Sequence, residues 1–276
     1  YNGDQMGLGK TGQAIMALEA AGDYPAFVVC PATLKLNWAR EVELWLGRGA
    51  RSVEVVNGHY HGQADVTIAN YEQLPRHLTA LAARGFRALG VDEAHRIKSR
   101  DAQRTLNVKA LATGTKPVSK GVGERIGPPI ATRYFLSGTP AVNRPAELLS
   151  PLGVLGRLDD LGGFWTVAKR YCDAYQEYVG RGRFMKAVWN FDGAAHLDEL
   201  NERMRATFYV RREKVDVLKE LPAKTRAVVP LPLDEQARAD YDLFVTVVDP
   251  VSLELVGTPA AVAPHPAVDR YPTLWR

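Results

Sequence analysis

Short, wholly apolar runs alternate along this chain with longer segments whose apolar residues recur at helical spacing. FVVC (27–30) is apolar throughout and closed by Pro31, as expected of a strand covered on both faces of a parallel sheet. Thr33 can cap the helix that follows, in which Leu34, Trp38, Val42 and Trp45 fall on one stripe. SVEVV (52–56), VTIA (66–69) and FRALGV (86–91) predict further strands, the last two separated by a helix over 72–84. Asp101 can cap a helix running to Ala112, and TRYFL (132–136) predicts one more strand. Upstream of all these, Ile15 and Leu18 mark the buried side of a helix that stops near Gly22. Strands alternating with helices predict an α/β fold with an open, mostly parallel sheet. Ligands of such sheets bind at the carboxyl ends of strands, so the residues that leave each strand are where chemistry is expected.

Three such places carry candidate chemistry. DQMGLGKT (4–11) is a glycine turn running into a helix. Gly7 and Gly9 let backbone N–H groups approach a phosphate, Lys10 can reach its outer oxygens, and the Thr11 hydroxyl can meet Mg²⁺. The strict phosphate-loop pattern would place glycine where Asp4 stands, so these residues alone also fit a helix-capping turn with a surface lysine. Only Tyr1 and Asn2 precede Gly3, so the strand expected to carry the turn is nearly absent, which points to a truncated start. Asp92 and Glu93 leave the FRALGV strand as a carboxylate pair followed by Ala94 and His95. Asp92 can hold Mg²⁺ and Glu93 can orient and deprotonate water, although the pair also fits a solvated turn with a capping aspartate. Ser137, Gly138 and Thr139 leave the last strand, where hydroxyls can relay to the acidic pair; alone, SGTP is a good turn.

Composition narrows the picture only a little. A formal charge of +4 permits a nucleic-acid partner without requiring one. Cys30 and Cys172 sit in apolar or aromatic settings and read as core thiols in a reducing compartment. No apolar stretch reaches the roughly 18 residues of a spanning helix, so no membrane contact is expected and the chain reads as soluble and intracellular. His59 and His61 lack a third ligand nearby and read as a polar loop. The stretch 113–129, rich in Gly, Pro and Lys, reads as an exposed loop in which Lys116, Lys120 and Arg125 can either meet a nucleic-acid backbone or simply be solvated. The segment 164–191 mixes aromatics with basic residues as a stacking platform would. Phe164, Ala168, Tyr171, Tyr175 and Tyr178 nevertheless share a helical stripe and predict packing, leaving Arg181, Arg183 and Lys186 as the better DNA contacts.

Taken in order, these stretches resemble the SWI/SNF-type ATPases of helicase superfamily two. DQMGLGKT looks like that family's first motif, usually written with Glu where Gln5 stands. The stretch 28–45 resembles the next, IANYEQL (68–74) the one after, VDEAHRIKS (91–99) the DEAH box, and 135–152 the third helicase motif. RREKVDVLKELPAKT (211–225) looks like the basic segment that joins the family's two lobes. The resemblance implies a RecA-like lobe over 1–157 that binds ATP and Mg²⁺, a helical protrusion over 158–210 and a connecting segment over 211–245, while the spaced prolines of 246–276 read as a flexible tail. It implies that residues 4–11 bind ATP, with Lys10, Asp92 and Glu93 catalytic, Thr11 and Asp92 on the metal, and His95 with Ser137, Gly138 and Thr139 coupling hydrolysis to duplex DNA. Arg211, Arg212 and Lys214 either brace the lobes or touch phosphate, with Arg211 and Arg212 as DNA contacts, or they form a salt-bridged helix end. Nothing resembles the second lobe's motifs, so a second RecA-like lobe is expected from further sequence or another chain, and the chain reads as cut at both ends. It would act in cytoplasm or nucleoid if bacterial or phage. The rival reading is a nucleotide- or DNA-binding fragment without catalysis.

Overall fold

The computed structural model describes residues 1–116, 123–141, 143–180, 185–220 and 238, and its named elements lie in the compact unit containing Tyr1–Lys219. Five strands form a parallel sheet: β1 (Ala26–Cys30), β2 (Val53–Val55), β3 (Val66–Asn70), β4 (Ala88–Asp92) and β7 (Thr132–Leu136), in the order β2-β3-β1-β4-β7. Val28 faces Ile68 on one neighbour and Gly90 on the other, so the central three strands run in close register. Every residue of β1, β3 and β4 is buried, which is why each reads as an unbroken apolar run rather than an alternating one.

Both faces of the sheet are covered. On one, α1 (Lys10–Ala21) and α2 (Lys35–Leu46) bring Ile15, Trp38 and Val42 against Val28, Cys30 and Ile68. On the other, α3 (Leu74–Ala83), α4 (Gln103–Thr113) and α5 (Ala146–Leu155) bury Leu78, Leu81, Leu111 and Leu152 with Phe27, Val29 and Leu89. Glycines in left-handed conformation end α1, α4 and α5, at Gly22, Gly114 and Gly156.

The sheet continues past β7 through the first residues of the chain. Asn2 pairs in parallel with Leu136 on one side and with Val210 on the other. Its amide donates to Phe135 O at 2.7 Å, and Gly3 N donates to Val210 O at 2.7 Å. The loop 4–9 thus emerges from the same end of the sheet as the residues after β4 and β7, although the strand before it is only a bridge.

Some local expectations give way to neighbours. Trp45 is 49% exposed rather than buried with Trp38 and Val42, because its ring lies across Gly12 at the rim of the helix pair. Neither Thr33 nor Asp101 caps its helix: α2 follows a 3-10 turn (Ala32–Leu34), and Ala102 occupies the cap of α4. Within 113–129, β5 (Thr115–Lys116) pairs with β6 (Glu124–Arg125) and Ile126 is buried, so the stretch is anchored at both ends; Lys120 lies outside the described residues. After α6 (Phe164–Tyr171), Asp173 takes a left-handed conformation and the chain turns into a hairpin of β8 (Tyr175–Val179) and β9 (Lys186–Asn190). Tyr175 and Tyr178 are therefore exposed strand residues, not part of the helical stripe, which ends with the buried Tyr171. The helix α7 (Leu197–Thr207) closes the region, its Glu199 paired with Arg170 and accepting from Tyr171 Oη at 2.8 Å.

Both thiols are free and buried, and burial pushes each up to about 12. Among the described residues no helix is long and apolar enough to cross a membrane.

Candidate nucleotide site

The loop 4–9 runs directly into the first turn of α1. Gly7 and Gly9 hold φ angles of 86° and 73°, a region open to glycine at little cost. Gly9 is also the N-cap of α1 and has no side chain to offer, so no side-chain cap satisfies the first-turn N–H groups, and no acidic residue lies in that turn. Such orphan donors at the positive end of a helix dipole are suited to phosphate. Thr11 sits in this first turn. Lys10 folds back over the loop, its Nζ donating to Asp4 O at 2.8 Å and to Gln5 O at 3.3 Å. Burial lowers its pKa, opposed by the charges of Glu93, Asp4 and Asp92.

Asp4, the departure from the strict glycine pattern, has a structural use. Its side chain is fully buried. Arg212 donates to it through the backbone N–H (2.8 Å to Oδ1) and the guanidinium (2.6 Å to Oδ2), and Gln13 Nε2 donates at 3.1 Å. Burial pushes the carboxyl up, but the hydrogen bonds from Arg212 and Gln13 together outweigh it and hold it below its ordinary value. Met6 is 69% exposed and Leu8 half-buried at the loop's outer surface.

Asp92, the last residue of β4, is buried with both oxygens occupied. Trp38 Nε1 donates to Oδ2 at 2.8 Å and the Glu93 amide donates to Oδ1 at 2.9 Å. Tyr71 Oη donates to the Asp92 carbonyl at 2.5 Å and fixes the strand end. Burial, the largest influence, raises the Asp92 pKa despite those two donors. Glu93 holds φ 48° and ψ 53°, a left-handed conformation sparsely populated by glutamate, which swings its carboxylate off the strand line. His95 is the main reason the Glu93 carboxyl is held below its usual range.

His95 joins the two strand ends. Its Nδ1 lies 3.2 Å from Glu93 Oε2 and 3.1 Å from Ser137 Oγ. Ser137 is fully buried, donates its amide to Asn2 O at 3.0 Å and accepts from the Thr139 amide at 3.3 Å. Gly138 passes so near the phosphate loop that a Cβ there would meet Met6 Cγ at 3.0 Å and Lys10 Nζ at 3.5 Å. Lys10, Asp92, Glu93, His95 and Ser137 thus share one edge of the sheet.

Basic residues expected at DNA are placed differently from one another. Arg181 and Arg183 lie outside the described residues, and Lys186 is exposed at the start of β9. Arg211 is buried and donates from Nη1 to Gly3 O at 2.9 Å and Gly138 O at 3.3 Å, which makes it an internal brace. Arg212 is committed to Asp4. Sequence reasoning missed Trp38, Tyr71 and Gln13. Trp38 is inseparable on a helical stripe from a core aromatic, and Gln13 stands one turn into α1 with no motif to single it out.

The donor set fits Mg²⁺ in the manner usual for that ion. Among the described residues no three His, Cys, Asp or Glu side chains cluster as a metal cage, whereas Mg²⁺ is commonly held by one or two carboxylates with substrate phosphates and water. The Asp92 carboxylate at the end of β4 is compatible with that kind of site.

Residues 3–118 match the SNF2-related domain. These residues form an SNF2-related domain. It is 31% identical over 250 residues to the DNA annealing helicase and endonuclease ZRANB3 of Bos taurus, covering 87% of this chain and 21% of that protein. It is 33% identical over 233 residues to the SWI/SNF-related matrix-associated actin-dependent regulator of chromatin subfamily A-like protein 1 of Drosophila melanogaster, covering 83% of this chain and 27% of the relative. The SNF2-related fold is shared with the Sulfolobus solfataricus SWI2/SNF2 ATPase core in complex with dsDNA, at a TM-score of 0.58 and 21% identity over 80% of this chain and 42% of that one. The chain therefore spans about a fifth to a quarter of the length of these curated relatives.

Proposed function

We propose that this chain is the ATP-binding lobe of a DNA-dependent ATPase that translocates on or remodels duplex DNA. The observation that carries the reading is the convergence, at one sheet edge, of an uncapped helix N-terminus with Lys10, the Asp92–Glu93 pair and the Ser137 turn. In this reading Lys10 leaves the carbonyls of Asp4 and Gln5 for the outer phosphates, and the amides of Gly7 to Thr11 cradle the inner ones. Asp92 and Thr11 hold Mg²⁺, which when bound neutralises charge on the phosphates. Glu93, kept ionised by His95, orients the attacking water and accepts its proton. His95 passes the state of Glu93 to Ser137, Gly138 and Thr139, and so couples hydrolysis to DNA.

The names of the relatives, a DNA annealing helicase and a regulator of chromatin, support duplex DNA as the partner. A second RecA-like lobe, in further sequence or on another chain, completes the site with an arginine; absence of such a residue lowers turnover by about 10³ to 10⁵. The chain by itself then hydrolyses ATP only at background. ATP hydrolysis with and without duplex DNA, against Lys10→Ala as background, tests this. DNA-stimulated hydrolysis that Lys10→Ala abolishes would show that the lobe completes its site unaided and would overturn the half-site part of the reading.

A further inference from the structure

The segment that returns to the phosphate loop after α7 carries a residue the site has not yet used. From Val210 to α8 (Lys214–Val217) the backbone runs alongside the start of the chain. Val210 N donates to Tyr1 O (3.0 Å), Gln5 N to Arg212 O (3.1 Å), and Lys214 N to Gln5 Oε1 (2.9 Å). The Asp4–Arg212 pair locks this register. It sets Lys214 over the loop: its Cε and Nζ each lie 3.3 Å from the point where a side chain on Gly7 would begin. Gly7 is exposed there, with its hydrogen in place of a side chain. Lys214 is half-buried, and among the described residues its ammonium is in no ion pair.

A cation held against the exposed Gly7 of this loop, in no ion pair among the described residues, is placed to meet an anion there. Lys10 reaches the same loop from α1, and a polyphosphate carries more charge than one lysine and a helix end can offset. We propose that Lys214 is a second phosphate-binding lysine of the nucleotide site, and that Arg212, through Asp4, is the positioning residue that holds it there. This rests on the nucleotide reading above. The ligand class is a nucleoside polyphosphate, contacted at once by the loop and by the segment the resemblance assigns to joining the lobes. Nucleotide occupancy would thereby be felt in that segment without any contribution from a second lobe.

The test is binding of a fluorescent N-methylanthraniloyl ATP with Mg²⁺ to the full 276-residue chain, followed by anisotropy across a salt series. Lys214→Ala should weaken binding about tenfold, the scale of one partly exposed charge-assisted hydrogen bond, and flatten the salt dependence. Lys214→Arg should retain most of the affinity. Arg212→Met should weaken binding, and the Arg212→Met/Lys214→Ala double variant should lose no more than Lys214→Ala alone, a result general loosening of the fold would not produce. If Lys214→Ala binds as tightly as wild type, or more tightly, while Lys10→Ala loses binding, the inference is overturned and the nucleotide reading stands. If wild type and Lys10→Ala are equally unable to bind, the nucleotide reading itself falls and takes the inference with it.

Discussion

Replacing Trp38 by Phe should damage the acidic pair from a helix away. Trp38 is 1% exposed, and its indole N–H is one of two donors to the buried Asp92 carboxylate among the described residues. Losing a hydrogen bond to a charged group costs about 1.5–3 kcal/mol. The smaller ring adds a packing loss of about 1–2 kcal/mol, so the variant should be about 2.5–5 kcal/mol less stable. A double-mutant cycle with Asp92→Ala removes the packing contribution and should return a coupling of about 1.5–3 kcal/mol. The pH dependence follows from the raised Asp92 pKa. As pH falls the folded state binds this proton first, so protonating Asp92 adds stability that is fully present below the ordinary value of 3.8 and lost as pH rises through the raised pKa. Without the indole the pKa rises further, and Trp38→Phe should recover part of its deficit in mild acid. Urea denaturation followed by far-UV circular dichroism, at neutral and mildly acidic pH, reads all of this. A coupling under about 0.5 kcal/mol would refute the idea that Trp38 works through Asp92.

Two further perturbations test the links between motifs. Arg212→Ala removes the guanidinium from the buried Asp4 carboxylate and leaves the residue-212 amide and Gln13 as its donors; a fully broken buried pair costs about 3–5 kcal/mol, but with those donors kept and half of the Arg212 side chain solvated, about 2 kcal/mol is expected in urea denaturation at pH 7. Because the folded Asp4 pKa is depressed, this contribution is present above 3.8 and fades as pH falls through the lower folded value, so the gap between wild type and variant should close in acid. His95→Ala removes the main influence holding the Glu93 carboxyl down, and a carbon-detected NMR titration should find that group shifted upward; an unmoved Glu93 would break the proposed path to Ser137.

The centre of the sheet was legible because burial on both faces turns β1, β3 and β4 into short runs of mostly apolar residues. The outer strands β2 (VEV) and β7 (TRYFL) are only partly buried and carry Glu54 and Arg133, yet they too fall within predicted strands, SVEVV and TRYFL. The candidate chemistry was legible for a related reason: Asp92 and Ser137 stand where strands end, and the phosphate loop where a helix begins. What could not be read were pairings between residues far apart in sequence. Asp4 looks like a departure from a pattern until Arg212 arrives beside it from the other end of the lobe. Trp38 carries the same helical periodicity as Val42, and only the fold reveals that its N–H, not just its ring, is in use. The Tyr175 and Tyr178 hairpin was hidden because aromatic residues spaced by three and four also satisfy a helical stripe, whereas the turn at Asp173 redirects the chain.

In the proposed site ATP is held by Lys10 and hydrolysed with the help of Glu93. Titration calorimetry of ATP with Mg²⁺ into the full chain, its Lys10→Ala variant and its Glu93→Gln variant separates those two roles. Glu93→Gln should bind within about threefold of wild type, because its carboxylate is assigned to the water and not to the nucleotide, whereas Lys10→Ala should bind at least about tenfold more weakly. Equal affinity for wild type and Lys10→Ala would contradict the account.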